Sequence, residues 1–247
     1  MKFDLHIHSK YSFDSFSQPK KIVERAKRIG LDGIAVTDHN TIKGGLEVEK
    51  LTRGMDDFVG ICGAEISTDH GDIIGLFLNE DIEDRYALNV IDRIKSQGGI
   101  VILPHPFKRT ENISKELLKR IDAIEVFNAR GKRPTRDSKN QRAMQLAERL
   151  DLPKTAGSDA HFLFEIGRGI CDIEHSLDMK DSAIKKSILK SRRQIYGVES
   201  SLYVEQLSQM IRMIKLRRID IFPKVIRNSV RITIFSMKNR ISSVKPP

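Results

Sequence analysis

Apolar and polar residues alternate from the first positions of the chain: Phe3, Leu5 and Ile7 are interleaved with Asp4, His6 and His8, the period of a β-strand. The period then lengthens. Ile22, Val23, Ala26 and Ile29 recur at helical spacing behind Ser17 and Pro19, and Gly30 closes the helix. Short apolar runs follow at Gly33–Thr37, Phe58–Cys62, Asp72–Leu78, Ile100–Leu103, Ala123–Phe127, Lys154–Ala156, Gly169–Ile173 and Gln194–Val198. Helical stretches separate most of them, notably Tyr86–Gln97, Ser114–Lys119, Asp137–Leu150 and Asp178–Leu189. Strands alternating with helices predict a parallel β/α architecture of the TIM-like barrel kind. No Gly-x-Gly-x-x-Gly or Walker loop follows a strand, which argues against a nucleotide-binding open sheet.

The pattern changes again near residue 200. Leu207, Met210, Ile211 and Ile214 mark one apolar helical face, and Pro223 precedes a second apolar and basic stretch that includes Val225, Ile226, Val230, Ile232, Ile234 and Phe235. Residues 1–200 are therefore expected to form the barrel and 201–247 a basic amphipathic extension. The 247-residue chain carries a net charge of +10, and residues 206–247 hold ten Lys or Arg against one Asp, so the body is close to neutral. The extension is expected to contact its own barrel, another subunit or an acidic surface such as a membrane or nucleic acid. A chain that is 39% hydrophobic and 31% charged, without a long apolar run, predicts no transmembrane segment. With no leader pattern and only Cys62 and Cys171, the cytoplasm is the expected location.

Chemistry-bearing residues concentrate on the first strand and at the ends of later ones. His6 and His8 share a strand face; His39, His105 and His161 follow the second, fifth and seventh runs; Asp14, Glu65 and Asp159 add carboxylates. In β/α barrels the C-terminal strand ends meet at one mouth, where the active site lies. Five imidazoles and three carboxylates exceed what one tetrahedral zinc needs and suit two or three divalent cations, with mixed nitrogen and oxygen ligation pointing to Mn, Zn or Fe. Asp38, beside His39, is expected to orient a ligand or cap a turn, and His70 and His175 to lie at the surface.

His6-x-His8, Thr37-Asp38-His39, Gly63-x-Glu65, Pro104-His105-Pro106 and Ser158-Asp159-x-His161, in this order, resemble the PHP (polymerase and histidinol phosphatase) superfamily. The resemblance implies a distorted (β/α)7 barrel that hydrolyses phosphate esters at a two- or three-metal centre. It implies His6, His8, Glu65, His105, Asp159 and His161 as ligands, with His39 and Asp14 serving a further metal. Asp14 stands one residue away from the Ser-Asp-Gly of small-molecule members, and Asp72 stands where members often carry histidine. Asp159 and His161 are the candidate catalytic residues, with His161 or a water as the proton source for the leaving alcohol. Lys108, Arg109, Asn128, Arg130 and Arg168 are candidates for binding a small phosphorylated metabolite or nucleotide. A nucleic-acid end as substrate, and a non-catalytic scaffold whose tail binds a polyanion, are the alternatives.

Overall fold

The computed structural model describes residues 1–108, 112–131, 139–174, 180–190 and 194–243, with side chains followed to Ile234. Arg109, His175, Phe235, and the first residues expected of two helices (Asp137 and Asp178) fall outside that set. Nine strands form one sheet in the order β7-β6-β5-β4-β3-β2-β1-β8-β9. They are β1 (Lys2–Ile7), β2 (Gly33–His39), β3 (Val59–Thr68), β4 (Gly71–Leu76), β5 (Ile100–Leu103), β6 (Ala123–Asn128), β7 (Lys154–Gly157), β8 (Gly169–Asp172) and β9 (Ile195–Gly197). Helices α1 (Pro19–Arg28), α2 (Lys43–Thr52), α3 (Ala87–Ser96), α4 (Lys115–Leu118), α5 (Lys139–Leu150) and α6 (Asp181–Leu189) belong to the barrel, and α7 (Leu202–Leu216) and α8 (Phe222–Ser243) to the extension.

The helices form where their apolar spacing demands it. Ala87, Val90, Ile91 and Ile94 of α3 are buried on one side, and Gly98 ends the segment at φ +70°. Each such side chain contributes about 1.5–3 kcal/mol when removed from water. Pro19 opens α1, where its missing N–H costs no hydrogen bond, and Ile22, Val23 and Ala26 face inward.

The sheet curls until its first and seventh strands meet. Ile7 bridges Ala160 in parallel, and His8 N–H donates to the Ala160 carbonyl at 2.8 Å. Gly157 permits that approach, since a Cβ there would lie 2.2 Å from the His6 Cβ. The result is a nearly closed, distorted barrel.

The all-parallel expectation fails at four strand pairings. β3 and β4 are antiparallel because the Asp69-His70 turn is too short for a crossover, and β4 then pairs antiparallel with β5. β8 returns antiparallel to β1, and β9 antiparallel to β8. One consequence concerns the mouth. The reversed β4 brings its beginning, Asp72, to the end where the other strands bring their C-termini, and Asp72 lines the cavity there.

The extension folds back over that mouth as an antiparallel helical hairpin, with Tyr203 Oη 3.1 Å from Thr233 Oγ1. Pro223 sits in the first turn of α8 rather than interrupting a helix. The apolar stripe read from sequence points the other way from a packed helix. Leu207, Met210 and Ile214 are exposed, and of that set only Ile211 is buried, beside Val204, Gln206 and Ser208. Among the described residues no helix is long and apolar enough to cross a membrane.

Candidate metal centre at the barrel mouth

Strand alternation explains the donors from β1. Ile7 packs outward with Ile34 and Val36, which turns its neighbours His6 and His8 toward the barrel interior. A register irregularity against β2 between Asp4 and Ile7 leaves Phe3 and Leu5 in the inner apolar cluster with Ala35, Ile61 and Ile74. Asp4 lies at the base, where it accepts hydrogen bonds from Ser158 N–H and Gly167 N–H, both at 2.9 Å. Burial raises its carboxyl to about 6 despite those bonds. It fixes the turn after β7 that carries Asp159 and His161. Asp159 and His105 both adopt positive φ, at +52° and +28°, so two donors are presented from backbone conformations that non-glycine residues rarely hold.

All eight residues singled out as ligands converge. His6, His8, Asp14, Glu65, His105, Asp159 and His161 are buried, and His39 is nearly so. Three groups have donor atoms within reach of one cation: His6, His8 and Asp159; His6, Glu65 and His105; and His8, His39 and His161. Asp14 joins the last, its Oδ2 lying 3.1 Å from His161 Nε2 and 3.4 Å from His39 Nε2.

The outer ring atoms decide how these imidazoles are protonated. His6 Nδ1 lies 2.9 Å from Glu125 Oε1. His8 Nδ1 lies 3.1 Å from Ser12 Oγ, whose own proton goes to Asp38 Oδ1 at 2.7 Å. His161 Nδ1 lies 2.8 Å from the Asp159 carbonyl. Each contact places the proton on Nδ1 and leaves a lone pair on Nε2. Those lone pairs then face other acceptors: His6 and His8 Nε2 are 3.2 Å apart, and His8 Nε2 is 3.2 Å from Asp159 Oδ1. Asp14 Oδ1 is buried with no hydrogen-bond partner. Acceptors gathered against acceptors in a buried site fit divalent cations, which would join what the side chains alone cannot.

The titration directions divide: the carboxylates stay ionised and His8 neutral. His6, by contrast, is lifted against the effect of burial well above its ordinary value by Glu125, Asp159 and Glu65, so in the metal-free protein it holds a proton that a cation would replace. Burial penalises the charges of Glu65, Asp159 and Asp14, yet all three are held well below the carboxylate range, chiefly by the imidazoles and, for Asp159, by Lys108. His8 is pushed down by burial and then by His161 and His39, so it stays neutral. Burial would lower His39 too, but Glu65 on one side and Asp14 on the other lift it to about 10.

Buried carboxylates around the donors complete the surroundings, Asp38 among them as expected and Glu125 in addition. Glu125, inward-facing on β6, orients His6 with Oε1 and accepts His105 N–H and Asn128 Nδ2 with Oε2 at 2.8 and 3.0 Å. Its signal was the alternation of Ala123, Glu125 and Phe127 with the outward Ile124 and Val126, but nothing in a strand period separates a site carboxylate from a buried ion pair. Asp38 accepts from Ser9 N–H, Ser9 Oγ and Ser12 Oγ, and so acts on His8 through Ser12.

The substrate-binding candidates divide. Lys108 lines the cavity, with Nζ 3.3 Å from Asp159 Oδ2. Asn128 is buried, donates to Glu125 and, at 3.4 Å, to Asp159, and is an orienting group. Arg130 lines the cavity, but its Nε and Nη2 form a fork on Glu165, and Nη1 reaches Ser208 of α7 at 3.0 Å. Arg168 does not line the cavity; it donates to the Glu199 carbonyl at 3.1 Å. His70 is exposed beside Asp69, and Cys62 and Cys171 are buried thiols in the core.

The hairpin supplies residues that sequence reasoning kept apart from the site. A cavity of about 310 Å³ lies between barrel and hairpin, lined from the hairpin side by Gln209, Arg212, Lys224 and Asn228 among others. Phe13 stacks on His39 with ring centres 4.5 Å apart, and the Arg212 guanidinium lies 4.8 Å from the Phe13 ring. Arg212 Nε has no hydrogen-bond partner. Lys215 sends its ammonium protons to the carbonyls of Lys10, Ser12 and Ser15, at 2.6, 2.5 and 3.0 Å, within the loop that carries Asp14.

A curled α/β barrel with a buried histidine–carboxylate cluster at its mouth defines the class. Residues 4–131 match the PHP domain and residues 137–188 the PHP-associated region that follows it, and the chain belongs to the PHP family. Two uncharacterized proteins of Methanocaldococcus jannaschii are similar to it. One is 46% identical over 145 residues, covering 52% of this chain and 82% of that protein. The other is 34% identical over 200 residues, covering 76% and 78%. Among solved structures, a two-domain protein from Bacteroides vulgatus containing a predicted PHP-like metal-dependent phosphoesterase superposes with a TM-score of 0.64 at 19% identity. It shares the fold over 80% of this chain and 65% of its own length.

Proposed function

We propose that the chain is a metal-dependent phosphoesterase acting on a small phosphorylated metabolite or nucleotide. The observation that carries this is the set of Nε2 lone pairs and ionised carboxylates crowded together at the mouth, an arrangement suited to two or three divalent cations. His6, His8, Glu65, His105 and Asp159 would hold two of them, and His39, His161 and Asp14 a further one; the mixed donors suit Mn, Zn or Fe. Cations bound there supply Lewis acidity toward a phosphoryl oxygen and lower the pKa of water to the neutral range.

The protein's own groups bind and orient the ester. Lys108 at the barrel rim and Arg212 and Lys224 from the hairpin offer cationic contacts to phosphate oxygens, and Arg212 has donor capacity left after stacking on Phe13. His161 has one ring nitrogen on the Asp159 carbonyl and the other on Asp14, so it acts as a ligand, and the leaving alcohol takes its proton from solvent. The hairpin roof restricts the cavity to a compact substrate, which favours a small ester over a nucleic-acid end or a polyanion-binding scaffold.

A panel of phosphomonoesters, nucleoside bisphosphates and short oligonucleotides, assayed with manganese, zinc or ferrous iron, tests the reading. Turnover of the small esters, abolished in Asp159→Asn, is expected. Equal inactivity on all of them with two cations bound would overturn it.

A further inference from the structure

We infer that the outer face of the C-terminal hairpin docks on an anionic lipid bilayer. The inference begins with an inversion. A helix that packs on a globular body turns its apolar stripe inward, and α7 does the reverse. Its inner line, Val204, Ser208, Ile211 and Lys215, is half polar and meets the barrel, whereas Tyr203, Leu207, Met210 and Ile214 repeat at helical spacing on the exposed side. In α8, Phe222, Ile226, Val230 and Ile234 follow one another at intervals of four and are all exposed, while Val225 and Ile232 are buried. Tyr203 bonds Thr233, so the first member of one stripe lies beside the last member of the other. Ile214 is 62% exposed and Ile219, between the helices, 78%. Scattered apolar residues need no partner, but a continuous stripe along both helices of a hairpin does.

Charge selects the occupant. Arg217, Arg227 and Arg231 are exposed around the stripe, and the single acidic residue of the extension beyond Gln206, Asp220, is paired with Arg218. A second copy meeting the same face would set those cations against their own kind. Nucleic acid would satisfy the charge but not an aliphatic stripe, because bases bind by stacking on aromatic rings, and among the described residues of this face only Tyr203 and Phe222 offer them. An interfacial helix hairpin satisfies both requirements, with aliphatic side chains among the acyl chains and Arg and Lys at the headgroups. The matched PHP regions end at residue 188, so this surface belongs to the extension and is separate from the phosphoesterase reading.

The test is flotation of the full-length protein with vesicles of phosphatidylglycerol and phosphatidylcholine, and with phosphatidylcholine alone. Binding is expected only to the anionic vesicles, weakened by salt, and reduced at least about tenfold in Ile214→Glu with Ile226→Glu. Should that pair disturb folding, Ile226→Ser with Val230→Ser is expected to give a smaller loss in the same direction at unchanged melting temperature. Failure to float would overturn the inference. So would flotation indifferent to these variants, which would mean adsorption through basic residues alone, or a dimer in light scattering that Ile214→Glu dissolves without any vesicle binding.

Discussion

Lys215→Met separates the charge that fastens the hairpin from the side-chain stem that supports it. The ammonium donates to three carbonyls of the loop between Lys10 and Ser15 and lies 5.4 Å from the centre of the Phe16 ring. Methionine keeps a stem of similar length and removes all three donors. Hydrogen bonds to a charged group contribute roughly 1.5–3 kcal/mol each when isolated from water. Here the site is only partly buried, and the freed carbonyls regain water once the loop relaxes. The net loss of docking free energy is therefore about 2–3 kcal/mol for the set, or a roughly 30- to 150-fold fall in the docked-to-undocked ratio. Hydrogen exchange read by mass spectrometry is the suitable assay, because it reports α7 and the Lys10–Ser17 loop separately from the barrel strands. Exchange in both segments should accelerate by that order while β1, β2 and β3 keep their protection. Unchanged exchange in α7 would refute the reasoning, since the hairpin would then be held by its buried Val204, Ile211, Val225 and Ile232 and by the Arg130–Ser208 hydrogen bond.

The remaining expectations concern the site itself. Glu125→Gln keeps the size of the side chain but weakens the acceptor for His6 Nδ1, and metal affinity measured by competition with a chelator should fall about 10- to 100-fold without loss of fold. His39 in the metal-free protein is lifted to about 10, above its unfolded value, so its protonated form adds stability that is complete below about pH 6.5 and is lost as the pH rises through about 10. A cation must displace that proton, so apparent affinity should increase with pH between 6 and 9, and calorimetry in buffers of different ionisation enthalpy should show proton release; uptake without release would contradict the assignment. Arg168→Ala should leave the kinetics of ester hydrolysis within about twofold, because Arg168 does not line the cavity and its partner is the Glu199 carbonyl. Gly157→Ala should lower the melting temperature sharply, because the new methyl would meet the His6 backbone and Cβ where β1 and β7 close the barrel, an overpacking that costs at least about 1–3 kcal/mol.

What could be read in the chain followed from where the information lies. His6 and His8 announce themselves because two adjacent turns of a strand period fall on one face, and His39, His105, Asp159 and His161 because each ends or follows an apolar run. Asp14 lies in a loop, where no period constrains the side chain, yet it reaches His39 and His161 because Lys215 gathers the carbonyls on either side of it. That connection crosses about two hundred residues and leaves no local trace. Glu125 and Glu165 were invisible for a related reason: a buried carboxylate declares its purpose only through its partners, here His6 on one side of the mouth and Arg130 and His161 N–H on the other.

The hairpin shows a different limit. Its amphipathic period was plain, but a period gives the angle between two faces and not which of them meets the body. Packing decided that, through Arg130 reaching Ser208 and Lys215 reaching the Asp14 loop, and both attachments are polar. A polar inner face that also brings Arg212 over Phe13 makes the extension part of the mouth rather than a separate appendage. The same attachment leaves the aliphatic face outward, so roofing the cavity and exposing a membrane-compatible surface are two results of one choice of helix rotation.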